Sequence, residues 1–281
     1  YENNGKLTKV LMEELSKQNE TIICFDNRGI LSSYGLIFPK LEPEEFAKWI
    51  LLDSNEDLLD LQAIEMSSRF KESMQMFGID KDTLEDYLHE LSFVVLTPNS
   101  DNGINISNNI LDVDFTKVKH FAKSIIFSLV SWLFNDDSIS KYEEETNFIK
   151  LVFEFMRKFK LQVSDYPKAK AFLNELKENI DKFPGSKDIK LKIIDMFLKF
   201  IQDSAPSLFE GIPLDFKQIF SVYPKKKQVF IFSLNHLEDV FYKNFFVMKA
   251  FHQLFIYAIE NPEKKISVFL NVLDEVLFFK E

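Results

Sequence analysis

The sequence predicts an α/β protein, a parallel sheet layered with helices and interrupted by a long all-helical stretch. Three observations predict it. Four short runs are almost continuously apolar, as strands buried on both faces of a parallel sheet must be. Long helical patterns separate those runs, which is the spacing of crossover connections rather than of hairpins. From Phe115 to about Ser204 there is no strand candidate.

The first run is Thr21–Asp26 (TIICFD), followed by Asn27-Arg28-Gly29, residues with turn chemistry. The second, Ser92–Thr97 (SFVVLT), runs into the polar segment Pro98-Asn99-Ser100-Asp101-Asn102-Gly103. Helices are then expected over about 115–134, 141–160, 165–182 and 187–203. In the last of these, Ile189, Leu191, Ile193, Ile194, Met196, Phe197 and Phe200 form the broad apolar face that a core-facing helix needs. Ser164-Asp165-Tyr166-Pro167 and Pro184-Gly185-Ser186 supply the breaks and caps between these helices. The third run is Gln228–Ser233 (QVFIFS). A helix over about 237–259, apolar on most faces, is expected to pack against the sheet. The fourth run, Ile266–Leu273, ends in the adjacent carboxylates Asp274 and Glu275. The expected organisation is 1–114 and 205–281 as two parts of one α/β core, with 115–204 as a helical insertion.

Composition narrows the function classes. Hydrophobic residues make up 46% of the 281, enough for a sizeable core. The net charge of −10 repels nucleic acid, so a DNA contact requires a local basic patch. Lys225-Lys226-Lys227 reads as a solvated turn rather than as that patch. With 7 Gly in the chain, tight phosphate-binding loops are scarce. The single Cys, Cys24, excludes an internal disulfide and a zinc site built on cysteines. It falls inside an apolar strand pattern, where a buried thiol is expected, and a reducing cytoplasm fits. No apolar stretch reaches the roughly 18–20 residues of a membrane span. His89, His120, His236 and His252 show no metal-ligand spacing.

Four segments carry candidate chemistry. Asp274 at a strand's carboxyl end suits a metal-bound water beside nucleotide phosphates, and Glu275 suits the base that orients an attacking water. The competing reading is an acidic pair entering a loop. Asp26 ends another strand and can face the same edge, or can serve the turn that follows it. The Thr97-to-Gly103 segment reads as a strand-to-loop turn. Gly5, Lys6 and Thr8 precede a helix, as a phosphate-binding loop does. They lack the upstream glycine and strand, and the hydroxyl does not directly follow the lysine.

Taken in order, these segments resemble the HerA-like branch of the HerA/FtsK P-loop ATPases, in particular bacterial proteins with a helical insertion. Asp26-Asn27-Arg28-Gly29-Ile30 stands where that family has a D-P-K-G-D type motif. Phe38-Pro39-Lys40-Leu41-Glu42-Pro43-Glu44-Glu45-Phe46 is similar to its F-P-x-L-x-P-E-D-F stretch, and Thr97-Pro98-Asn99-Ser100 to its T-P-G-S strand end. Glu210-Gly211-Ile212-Pro213-Leu214-Asp215, Phe232-Ser233-Leu234-Asn235-His236-Leu237 and Asp274-Glu275 follow in the family's order.

The resemblance implies a RecA-like P-loop NTPase sheet with a large all-helical insertion. It also implies ATP and Mg²⁺ as cofactors, a hexameric homo-oligomer, and DNA or a nuclease as partner. It assigns Glu275 to catalysis, Asp274 to the metal, and Gly5, Lys6, Thr8 and Asp26 to the nucleotide. The departures are equally specific. Gly5-Lys6 is displaced by about two residues from the family's position, Ile30 replaces its second Asp, and the family's later strands do not follow Glu281. Two expectations result: a fragment of an ATPase core related to DNA-translocating motors, or an inactive pseudo-ATPase serving as a protein-interaction scaffold.

Overall fold

The computed structural model describes residues 8, 11–12, 14–16, 18, 20–29, 31, 40–47, 56–98, 104–111, 119–136, 138–159, 161, 163, 165–204, 208–222, 224 and 227–271. Its centre is a six-stranded, all-parallel sheet. The strands are β1 (Thr21–Asp26), β2 (Leu91–Pro98), β3 (Ile104–Ser107), β4 (Ile212–Pro213), β5 (Lys227–Ser233) and β6 (Ile266–Asn271), ordered β4-β3-β2-β5-β1-β6. Helices α1 (Pro43–Ala47), α2 (Glu56–Met76) and α3 (Lys81–Glu90) join β1 to β2. Helices α4 (Lys119–Phe134), α5 (Glu143–Lys158), α6 (Tyr166–Glu178) and α7 (Lys187–Ser204) intervene between β3 and β4. Helix α8 (Phe216–Val222) precedes β5, and α9 (Val240–Glu260) joins β5 to β6.

The apolar runs become strands because the alternation of the pleat serves two cores at once. In β1, Ile23 and Phe25 face the larger core, while Ile22 and Cys24 face the smaller one. Register extends this across the sheet: Ile23 pairs with Phe230 and Phe25 with Phe232 on one face, Ile22 with Val229 and Cys24 with Ile231 on the other. Helices α4 to α9 cover the first face in one continuous hydrophobic cluster. The helical stretch therefore shares its core with the sheet. Met12 and Leu15, from a helical segment ahead of β1, cover the second face with Leu31. Phe25 is fully buried and its ring stacks on Phe232 at 5.0 Å and Phe251 at 5.3 Å. Burying one such ring stabilises the fold by about 1.5–3 kcal/mol.

The expected caps hold α6 in place. Asp165 accepts the Lys168 N–H at 2.9 Å, and Pro167 occupies the first turn, where its missing N–H is harmless. Lys190 of α7 is buried, its ammonium donating to the carbonyls of Phe183 at 2.5 Å and Ile180 at 3.1 Å. The Ile180 carbonyl also accepts the Phe183 N–H at 3.2 Å, so the ammonium ties α7 to the turn that precedes it.

Two strands differ from the sequence expectation. β3 and β4, of four and two residues, were not legible as strands. Only residues 99–103 separate β2 from β3, fewer than the dozen or so that a crossover between parallel strands takes. β3 nevertheless runs parallel to β2, with Ile104 level with Leu96 and Asn105 level with Thr97. Gly211 allows β4 to follow: its φ is +101°, and a Cβ there would lie 2.4 Å from the Asn105 carbonyl oxygen.

Candidate functional site

In open parallel sheets ligands bind beyond the carboxyl ends of the strands, where neighbouring connections diverge. Here the divergence falls between β2 and β5. The chain leaves β2 toward β3, and leaves the adjacent β5 through α9 toward β6 at the opposite edge.

A row of polar residues marks this edge. Thr97 pairs with Asn105, Asp26 with Ser233, and Asp26 with Asn271. Leu96 pairs with Phe232, so Thr97 and Ser233 are the next step on β2 and β5. Five adjacent strands, β3-β2-β5-β1-β6, thus carry a polar residue at one level. One step below, β2, β5, β1 and β6 carry Leu96, Phe232, Phe25 and Leu270. The sheet passes from a dry core to a polar rim within one residue.

The rim is tightly bonded. Asp26 is fully buried, and its carboxylate accepts the Leu31 N–H at 2.7 Å and the Arg28 N–H at 3.2 Å. Its own carbonyl accepts the Leu234 N–H at 2.8 Å, tying the exits of β1 and β5 together. The turn that Asp26 closes includes Gly29 at φ +70°, packed close to Asn235. Ser233 Oγ lies 2.8 Å from Asn235 Oδ1, to which its hydroxyl donates. His236 Nε2 lies 2.5 Å from the Pro98 carbonyl oxygen and bridges the β2/β5 divergence. With Ser233 turned to Asn235 and His236 to a carbonyl, the two do not form a nucleophile–base pair. Burial pushes the Cys24 thiol far above its ordinary range, and the negative charge of Asp26 adds to that shift. Cys24 is therefore an inert packing residue.

Behind the rim stands a second polar group. Asn108 Nδ2 donates to the Tyr242 hydroxyl at 3.0 Å. Lys249 of α9, buried, donates to the Asn109 carbonyl at 2.6 Å, and Asn109 Nδ2 donates to the Val163 carbonyl. These bonds lock the exit of β3 to α9 and to the segment between α5 and α6. Sequence reading missed them because a lysine and two asparagines carry no pattern that identifies a distant carbonyl as partner.

The sequence-predicted site residues divide. Asp26 lies in the rim. Thr8 is helical and half-buried. Gly5, Lys6, Asp274 and Glu275 lie outside the described residues. Among the described residues no group of three or more His, Cys, Asp or Glu side chains is placed to hold a metal ion. None of their helices is long and apolar enough to cross a membrane.

Fold and site together define an open, all-parallel α/β sheet protein with a polar carboxyl edge. Compared with family models, curated proteins and solved structures, the chain matches none.

Proposed function

We propose that this chain is an ATPase-like core of the RecA-like P-loop kind, related to the HerA/FtsK DNA-translocating motors, with its nucleotide edge at the carboxyl ends of β1, β5 and β6. One observation carries the reading. β6 lies parallel to β1 with Asn271 level with Asp26, so the run that continues in sequence to Asp274 and Glu275 has reached the polar rim by Asn271. In this reading Asp274 holds Mg²⁺ through water and Glu275 orients the attacking water. Gly5, Lys6 and Thr8 contribute to the phosphate side, ATP and Mg²⁺ are the cofactors, and a homo-oligomeric ring acts on DNA.

A second reading, a pseudo-ATPase scaffold without nucleotide turnover, has its own support. The Asp26 carboxylate is buried and accepts the N–H groups of Arg28 and Leu31, an arrangement that supports a structural role in that turn.

Calorimetric titration with Mg²⁺-ATP separates the two. The ATPase reading requires binding by the whole gene product that is weakened at least tenfold by Asp274→Ala, with the circular dichroism spectrum unchanged. If neither the whole gene product nor this 281-residue chain binds ATP, the scaffold reading stands.

A further inference from the structure

Three of the described lysines are buried, and one differs from the others. Lys190 donates to the carbonyls of Ile180 and Phe183, and Lys249 donates to that of Asn109. Lys243 of α9 is 7% exposed, and among the described residues its ammonium has neither a hydrogen bond nor an ion pair. A cation enclosed in that way is unfavourable until an anion meets it.

The course of α9 places this lysine at the polar rim. Residues 234–239 alone separate the end of β5 from α9, and α9 finishes at Glu260, ahead of β6. The helix therefore runs from the carboxyl edge of the sheet back to its amino edge. Lys243 shares a helical stripe with Phe246, Val247, Ala250 and Leu254, all of them buried. That stripe lies against β5 and β1: the Phe246 ring is 5.9 Å from that of Phe232, and the neighbouring Phe251 ring is 5.3 Å from that of Phe25. Phe232 and Phe25 form the last apolar step before Ser233 and Asp26. Lys243 precedes Phe246 by about 4.5 Å of helix, on the rim side of that step. Asp26 does not pair with it: its carboxylate accepts the Arg28 and Leu31 N–H groups, and Lys243 makes no ion pair among the described residues.

We infer that the Lys243 ammonium binds a phosphate group of the nucleotide at this edge. The inference rests on the ATPase-like reading above, in which the segment around Gly5 and Lys6 lacks the upstream glycine of a phosphate loop. A lysine arriving from α9 supplies the point charge that a phosphate takes.

Calorimetric titration of the whole gene product with Mg²⁺-ATP, and with Mg²⁺-tripolyphosphate, which has no nucleoside, tests it. Lys243→Met keeps an unbranched stem and removes the charge. This variant is expected to bind both ligands at least tenfold more weakly, and Lys243→Arg to recover part of the loss. A lysine held for a ligand adds nothing to the ligand-free fold, so Lys243→Met should melt no lower than the wild type. A second readout needs no substitution and decides the matter if the variant fails to fold. Mg²⁺-ATP should slow acetylation of Lys243 at least threefold, followed by mass spectrometry, and leave Lys190 and Lys249 unaffected. Wild-type affinity in Lys243→Met, or acetylation of Lys243 that bound ATP does not slow, overturns the inference and leaves the ATPase reading standing. Tripolyphosphate binding that Lys243→Met abolishes, without any ATP binding, supports the lysine as a phosphate ligand and removes the nucleotide reading. If the wild type binds neither ligand, both fall.

Discussion

His236 and Pro98 are joined across the divergence of the sheet by a bond of 2.5 Å between Nε2 and the carbonyl oxygen. A carbonyl only accepts, so Nε2 carries the proton and the neutral ring is the Nε2–H tautomer. The bond links the exits of two strands whose connections run apart, so it constrains the width of the crevice between them. Replacement His236→Ala is expected to destabilise the fold by about 1 kcal/mol. Gln, which retains a donor, should recover part of that loss. Urea unfolding measures the energies, and ¹⁵N chemical shifts of the imidazole report the tautomer. An Nδ1–H ring together with an unperturbed Ala variant would remove the bond from the account.

Gly29 is held to glycine by two causes at once. Its φ of +70° is strained for other residues, and a Cβ would sit 2.8 Å from Asn235 Nδ2. Gly29→Ala should destabilise by about 1–3 kcal/mol. In Gly29→Ala/Asn235→Ala the steric part is relieved while the backbone strain stays. Asn235→Ala alone loses the bond from Ser233, so the double variant should lose less than the sum of the two single losses. Strict additivity in denaturant unfolding would show that Asn235 does not press on Gly29.

Cys24 should resist thiol reagents in the native state. The thiol is buried, and both burial and the charge of Asp26 disfavour the reactive thiolate. Labelling at neutral pH is expected to follow unfolding, with iodoacetamide incorporation rising only as denaturant melts the sheet. Rapid native labelling would place Cys24 outside the core between β5 and β6.

Asp136, in the turn between α4 and α5, is held down to a pKa of about 2 from an ordinary 3.8. The Ser138 N–H, at 2.8 Å, is the largest cause; the Tyr142 hydroxyl at 3.0 Å and Lys141 at 3.4 Å add to it. A depressed carboxyl stabilises the fold above its unfolded pKa and loses that contribution as pH falls through the folded value. The window therefore runs from about pH 4 down to about pH 2. Asp136→Asn should flatten the fall of stability across that window and leave the slope nearer neutrality unchanged. An identical acid limb in the variant would show that the charge contributes nothing.

Much of this architecture was legible in the chain. β1, β2, β5 and β6 were readable because a strand buried on both faces must be apolar at every position. Helices α4 to α7 and α9 were readable from their helical apolar spacing, with Asp165 and Pro167 marking the start of α6. β3 and β4 were not, because they are too short to show a period and exist only by pairing, β3 with β2 and β4 with β3.

The site divides in the same way. The sequence by itself determined that several apolar runs end in a polar residue, since a local change from core to solvent is written in residue type. Only the tertiary structure decided that Asn105, Thr97, Ser233, Asp26 and Asn271 share one level, because register depends on hydrogen bonds between strands far apart in the chain. It also placed the Asp26 carboxylate, which is buried and accepts the N–H groups of Arg28 and Leu31 in the turn after β1, partners that residue type alone does not name.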